Sequence, residues 1–224
     1  VVQPARTVLL ALAGIGLFSG VLTLFLTPEQ FIAADTGREI YAALARNEAG
    51  LVSELGLSGQ RLYVPTDAVD RPAVLYIPQQ ETASLPDATT LTDTLVAPED
   101  SRHRGVALEP SGGPLFESFT QTLSGSLGAT PAALGPQLTD ALTAQFELVD
   151  AAEAAVESAD EELTVTISGS AYGPVTQFDH PVASFIAVGV ARATENPVSV
   201  TVTEADSRAD YRVRCQLVDA SAEN

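Results

Sequence analysis

The chain has 224 residues, 46% of them hydrophobic, and a formal net charge of −18. That length builds one sizeable domain or two small ones, and the apolar fraction is too high for intrinsic disorder. A single cysteine rules out a disulfide scaffold and a multi-cysteine metal site, and a pI near 4.2 argues against nucleic acid and against anionic lipid head groups as partners of a basic patch.

All 11 basic residues are Arg, and the 29 acids all lie in residues 28–224. Ten of the Arg share that segment, which leaves it a net −19. Carboxylates hold water and cations at a surface, and molar salt shortens the Debye length to roughly 3 Å, which screens their mutual repulsion. Long Lys stems would add exposed apolar area that high salt drives toward aggregation. This pattern predicts a protein of a salt-loving cell; a GC-rich genome also favours Arg over Lys.

Thr7 to Thr27 is 21 residues without a charge. As a helix it is roughly 31 Å long, the hydrocarbon thickness of a bilayer. The run is too long for a signal-peptide core and ends in LFLTPEQF without a small-x-small cleavage site. No Cys follows it as a lipoprotein needs, and it has no polar face as a core helix would. A transmembrane helix is predicted, with the bilayer as its partner through residues 7–27. Gly16 and Gly20 have the G-x-x-x-G spacing that lets helices touch closely, a pattern also common by chance. Arg6 before the span and Arg38 after it are opposing votes on orientation. Arg6 is nearer and puts the domain outside; the first residue is Val rather than Met, and an upstream span would reverse that.

After the span, Asp35 or Thr36 caps a helix to about Leu55, with Ile40, Leu44, Leu51, Val52 and Leu55 at helical spacing and Gly56 ending it. Arg61–Pro65 and Ala73–Pro78 read as a hairpin around TDAVDRP. Residues 79–104 read as a long polar loop with a strand or turn near Leu91–Val96. Gly105–Pro110 reads as a strand, and Gly112-Gly113-Pro114 opens a helix at Leu115–Leu123. A longer helix is predicted from Pro131 to Ser158, its outer face carrying Glu147, Asp150, Glu153 and Glu157. Leu163–Ser168 alternates as a strand, Val182–Thr194 is an apolar helix, and Val198–Glu204 and Tyr211–Val218 are strands around ADSRAD. The order predicts an α+β fold with an antiparallel sheet and packed helices. The predicted domains are the flank and span at 1–27, an acidic α+β domain at 28–218 and a disordered tail at 219–224.

Chemistry is sparse. His103 sits between two Arg, which oppose a cationic metal. His180 precedes the last helix; Asp179 beside it could accept its ring proton or cap the helix, and with Pro181 at the first helical position a helix start is the plainer reading. No G-x-S-x-G elbow occurs, and Gly169–Gly173 reads as a turn after a strand. Without Lys there is no ordinary phosphate-binding loop, and the G-x-G-x-x-G fingerprint is absent. The seven carboxylates from Glu147 to Glu162 lack a calcium-loop pattern and read as a solvated face. Tyr211, Val213, Cys215 and Leu217 share one strand face, so a buried thiol is expected. No catalytic residue, metal or cofactor is predicted.

Two resemblances follow from motifs. Gly16–Thr23 fits G-x-F-x-x-x-L-T, Thr27–Phe31 fits T-P-E-x-F, Tyr41–Asn47 fits Y-A-A-L-A-x-N, and Tyr63–Pro65 is Y-V-P. With FDHPVASFIAVGVARATENPVSV near the C-terminus, most of the chain resembles a family of uncharacterised haloarchaeal membrane proteins. That resemblance implies a salt-loving source and a membrane anchor, and no activity. Its members often carry a preceding span, which implies a helical hairpin and a cytoplasmic domain. Over about 35 residues, the helix Val182–Thr194, V-x-V-x-x-x-E at Val198–Glu204, a turn at Ser207–Asp210 and R-x-R-C at Arg212–Cys215 are similar to the end of 4-vinyl-reductase-type ligand-binding domains. Such domains enclose small hydrophobic molecules; Ser207 stands where a second Cys is common. The expected function is a membrane-anchored, non-enzymatic domain for interaction, sensing or scaffolding, self-associating or bound to a membrane protein. The alternative is a pocket for a small hydrophobic ligand, with His180, Phe185, Glu204 and Cys215 as its candidate residues.

Overall fold

The alternating valines of 198–202 and the unbroken apolar run of 73–78 both make strands, for different reasons. In the computed structural model, which describes residues 3–26, 34–68, 71–81, 85–86, 88–98, 100–157, 162–205 and 208–218, they belong to one antiparallel sheet. The predicted tail 219–224, Ser207, the T-P-E-x-F motif and the acids of 158–161 lie outside those residues.

The chain divides into two units, Val1–Thr36 and Gly37–Asn224. The first holds α1 (Gln3–Leu26). Its stretch Arg6–Leu24 has a mean hydropathy of 2.1 and none of it is buried. It is long and apolar enough to cross a membrane; a signal sequence shares those properties.

The second unit follows the sequence closely at most points. After α2 (Ala34–Glu54) come β1 (Leu62–Pro65), β2 (Ala73–Pro78), the two-residue β3 (Leu95–Val96) and β4 (Gly105–Leu108). Then come α3 (Gly113–Thr122), α4 (Pro131–Asp140), β5 (Ala151–Glu157), β6 (Glu162–Ser168), α5 (Pro181–Thr194), β7 (Val198–Glu204) and β8 (Tyr211–Leu217). The sheet order is β3-β4-β2-β1-β7-β8-β6-β5. Helix α5 lies against its centre, where β1 meets β7.

Burial explains the two strand patterns. All six residues of β2 are buried. Ala73, Leu75 and Ile77 join the main core, whereas Val74 and Tyr76 join a second cluster with Leu62, Val64, Leu91, Val96 and Ala107. A strand covered on both faces needs no alternation. On β7 one face is covered, so Val198 and Val200 are buried and Thr201 and Thr203 are exposed.

One predicted element is wrong. The helix expected from Pro131 to Ser158 ends at Asp140, passes through a wide π-turn at Ala141–Gln145, and the AAEAAVE segment is the edge strand β5. Glu147 takes φ 51, which turns the chain, and β5 then pairs in register with β6 from Ala151↔Ser168 to Glu157↔Glu162. Alanine favours helix locally, but seven paired positions outweigh that preference. The small side chains suit the strand as well: a Cβ on Gly135 of α4 would stand 2.8 Å from Ala154 Cβ, so helix and strand touch closely. The acids assigned to an outer helical face therefore stand on a turn and an edge strand.

A second expectation changes on α2. Tyr41 and Ala45 are buried and Val52 packs on the core. Ile40, Leu44, Leu51 and Leu55 are instead 66%, 50%, 39% and 43% exposed.

Candidate functional site

Polar groups collect where α5 begins. Tyr63 projects from β1, Ser111 lies between β4 and α3, and Tyr41 comes from α2. The segment just before α5 supplies Phe178, Asp179 and His180. Asp179 has φ 44, a left-handed conformation that Asp tolerates better than most residues. That twist turns its carboxylate inward. Tyr63 donates its hydroxyl to Asp179 Oδ1 at 2.8 Å, and the Ser111 N–H donates to Oδ2 at 2.5 Å. The Ser111 hydroxyl donates to the Asp179 carbonyl, and Gly112 N–H donates to Ser184 Oγ at 2.9 Å. A Cβ on Gly112 would stand 2.1 Å from Phe185 N, so only glycine lets this loop lie on the first turn of α5.

The helix start was read correctly and its cap was not. Pro181 holds the first helical position, but the cap is the ring of His180, whose Nδ1 accepts from Val182 N–H at 3.2 Å. Asp179 neither caps the helix nor takes the ring proton, because its oxygens are committed to Tyr63 and Ser111.

This ring geometry decides the chemistry. With the Nδ1 lone pair accepting, the proton sits on Nε2, which faces Ser170 Oγ at 3.4 Å. A serine nucleophile needs a lone pair there to take its proton. Ser170 and His180 therefore meet with the wrong tautomer for acyl transfer, and among the described residues no carboxylate is hydrogen-bonded to the ring.

Burial dominates the electrostatics. It raises the Asp179 carboxyl above its ordinary range, against the hydrogen bonds from Ser111, Ser184 and Tyr63. It raises the Tyr63 and Tyr41 hydroxyls, with Asp179 adding to both. Half-buried Glu48 on α2 is pushed up to about 7, first by desolvation and then by Asp179. His180 is fully buried and pushed down to about 4, partly restored by hydrogen bonding to the backbone of Tyr172 and Gly173.

A pH prediction follows. Between pH 6.5 and 4 the unfolded chain takes up the proton that buried His180 refuses, so this residue's stabilisation is complete above pH 6.5 and declines toward pH 4. The decline amounts to about 3 kcal/mol at most. Glu48 acts oppositely: its raised value favours folding below its ordinary 4.5, and that contribution is lost as the pH rises to 7. His180→Asn keeps a capping oxygen without the titration. The stability difference between wild type and His180→Asn, from urea unfolding, is expected to shift against wild type from pH 7 to pH 4. A difference independent of pH overturns the assignment.

The four residues singled out in sequence do not converge. Phe185 is fully buried, edge-to-face with Phe119 and Phe146, both at 5.7 Å. Cys215 is buried on β8 as expected, its thiol pushed up by burial and by Glu162. Glu204 lines an open groove of about 690 Å³ with Ser168, Ser170, Arg208 and Tyr211. Ser170 and Gly173 line that groove and also contact His180. Sequence analysis missed Tyr63, Ser111 and Ser184. Ser184 did carry a signal, as the lone hydroxyl in the first turns of an otherwise apolar helix, where a buried donor needs a partner.

The described residues thus form an α+β domain preceded by an apolar helix, with a filled core and a polar knot that acts as a fastener. The chain belongs to the family described as a domain of unknown function, DUF7982, which matches residues 1–217. No curated protein and no solved structure matches it.

Proposed function

We propose that the chain is a membrane-anchored, salt-adapted module whose α+β domain binds other protein surfaces and performs no catalysis. The observation that carries this reading is the aliphatic row on α2. Four large side chains stay 39–66% exposed beside a core that buries Phe185, Ile186 and Val188 completely. Water-exposed aliphatic surface of this extent marks contact sites. The uncharged run of α1 supports the anchor, and the Arg-only, acid-rich composition supports salt adaptation. The resemblance to haloarchaeal membrane proteins supports both, and its preceding span favours a cytoplasmic domain.

The small-ligand alternative would use the α5 helix, and Phe185 there is occupied by two aromatic rings. Gly189 faces Leu138 so closely that an added Cβ would lie 2.8 Å from its Cδ2. That packing leaves the ligand no room along Phe185–Gly189.

Flotation tests the anchor and the salt dependence together. The full chain, mixed with preformed vesicles in 3 M KCl, is expected to float with lipid and to resist extraction by alkaline carbonate. Dialysis to 0.1 M KCl is expected to weaken the far-UV circular dichroism while the chain stays with the vesicles. Protein left at the bottom of the gradient overturns the anchor, and unchanged dichroism overturns salt adaptation. In whole host cells, degradation of the domain by added protease overturns the cytoplasmic side.

A further inference from the structure

The face that holds α2 on its domain contains a carboxylate. At about 100° per residue, Tyr41, Ala45, Glu48 and Val52 fall within roughly 60° of arc. Tyr41 and Ala45 are buried, and Val52 packs on the main core. The Tyr41 hydroxyl donates to the Phe178 carbonyl at 2.9 Å. Its ring stands edge-on to Tyr172 and His180, with centroids 6.1 and 5.4 Å away. Glu48 lies two turns further along this face and is half-buried. Among the described residues its carboxylate has no hydrogen bond and no ion pair. An apolar docking face disfavours such a group, because burial penalises a charge without a partner.

The groups around Glu48 sharpen the conflict. The segment before α5 brings Asp179, which is buried and accepts from the Tyr63 hydroxyl, the Ser111 N–H and the Ser184 hydroxyl. Of two carboxylates in one site, the one with donors keeps its charge and the one without takes the proton. Burial holds Tyr41 neutral, and its proton is given to Phe178. Arg61, before β1, stands over the Phe178 ring at 5.9 Å and makes no ion pair with Glu48. Within α2, the residues three and four away from Glu48 are Leu44, Ala45, Leu51 and Val52, none of them charged. Desolvation first, and Asp179 second, push Glu48 up to about 7.

We propose that α2 is a pH-gated strap, which lies on the domain while Glu48 is protonated and swings off when Glu48 gives its proton to water. The fold supplies a pivot. Gly56, at φ 61, ends the helix, and Leu57 N–H donates to the Val52 carbonyl at 3.0 Å. Ser58 N–H then ties the chain to the Pro78 carbonyl of β2 at 2.9 Å. Among the described residues, no backbone hydrogen bond joins residues 37–50 to the rest of the domain. Release uncovers Tyr172, Phe178 and the His180 ring, which Tyr41 covers in the docked state. A docked Glu48 binds its proton more tightly than a free one. Docking is therefore strongest below the ordinary 4.5 and weakens as the pH rises from there to about 7. Buried His180 acts oppositely between pH 6.5 and 4, so Glu48 has to be tested by its own substitution.

Thiol protection of the full chain, in mild detergent at 3 M KCl, tests this. Ala45→Cys places a thiol on the docking face, and Arg46→Cys places an exposed one beside it. Native Cys215 is fully buried in β8 and reports opening of the whole domain. At each pH the labelling rate of Ala45→Cys is divided by that of Arg46→Cys, which cancels the chemistry of the thiolate. From pH 5 to pH 8 this ratio is expected to rise on the order of tenfold, a figure already reduced for a half-exposed group, while Cys215 stays unlabelled. With Glu48→Gln added, the ratio is expected to stay low and not to rise. A ratio that is flat in the wild-type background, or that rises equally with Glu48→Gln, overturns the strap. Labelling of Cys215 in step with Ala45→Cys overturns it as well, because the domain then opens as one unit. If Ala45→Cys is already open at pH 5, hydrogen exchange of the α2 amides, corrected for intrinsic rates, makes the same comparison between wild type and Glu48→Gln. Equal pH dependence there overturns the strap.

Discussion

Asp179→Ala is expected to lower the unfolding free energy by about 3–5 kcal/mol, measured by urea unfolding in molar KCl. The substitution removes the carboxylate that accepts from the Tyr63 hydroxyl, the Ser111 N–H and the Ser184 hydroxyl. Tyr63 is fully buried, so water does not replace the lost partner. Each orphaned donor costs about 1–3 kcal/mol. Alanine also sits poorly at φ 44, which adds roughly 1 kcal/mol. A counter-effect trims the sum, because burying a carboxylate is itself unfavourable and its removal is a relief. Asp179→Gly separates the parts, since glycine takes the left-handed conformation freely and loses only the hydrogen bonds. Asp179→Asn keeps the shape but turns an amide donor toward groups that already donate, for a cost of about 1–3 kcal/mol. A loss below about 1 kcal/mol for Asp179→Ala would show that the knot does not fasten α5.

Phe185→Ala is expected to cost about 3–5 kcal/mol by the same measurement. The ring has no exposed surface and makes two edge-to-face contacts, with interplanar angles of 87° and 84°. Such pairs contribute roughly 0.5–1.5 kcal/mol beyond the area they bury. The hole left behind does not close easily, because the backbone at Phe185 is pressed against Gly112 and cannot move inward. Phe185→Leu fills part of the space and is expected to cost about half as much. This experiment also bears on function. A cost under about 1.5 kcal/mol would mean a loosely filled core, and a ligand-binding interior would regain support.

Most of the fold was legible because its elements announce themselves by period and punctuation. Ala73–Pro78 was read to the residue. Val198–Glu204 matched too, because valine alternates with Ser and Thr on a half-covered face. Gly56, at φ 61, ended its helix where glycine predicts. The failure at 151–157 has a physical cause. AAEAAVE carries a helical preference worth a few tenths of a kcal/mol per residue, whereas its strand state is decided by β6, a partner that no local window weighs. The polar knot was half legible. Asp179 and His180 stood out as the only Asp-His-Pro, but their roles depend on Tyr63 and Ser111, which are 116 and 68 residues from Asp179 in the chain.

What the sequence determined alone is the character of the chain: its acidity, its lack of lysine, an N-terminal helix fit for a bilayer, and an α+β domain with an antiparallel sheet. These follow from composition and from periodicities that act over a few residues. Only the tertiary structure decided which apolar residues are core and which are surface. Ile40 and Leu44 carry the same helical signal as Tyr41 and Ala45, yet the domain covers one flank of α2 and leaves the other bare. Periodicity says that a helix has an apolar face. Which part of that face is covered depends on neighbours brought together from distant parts of the chain.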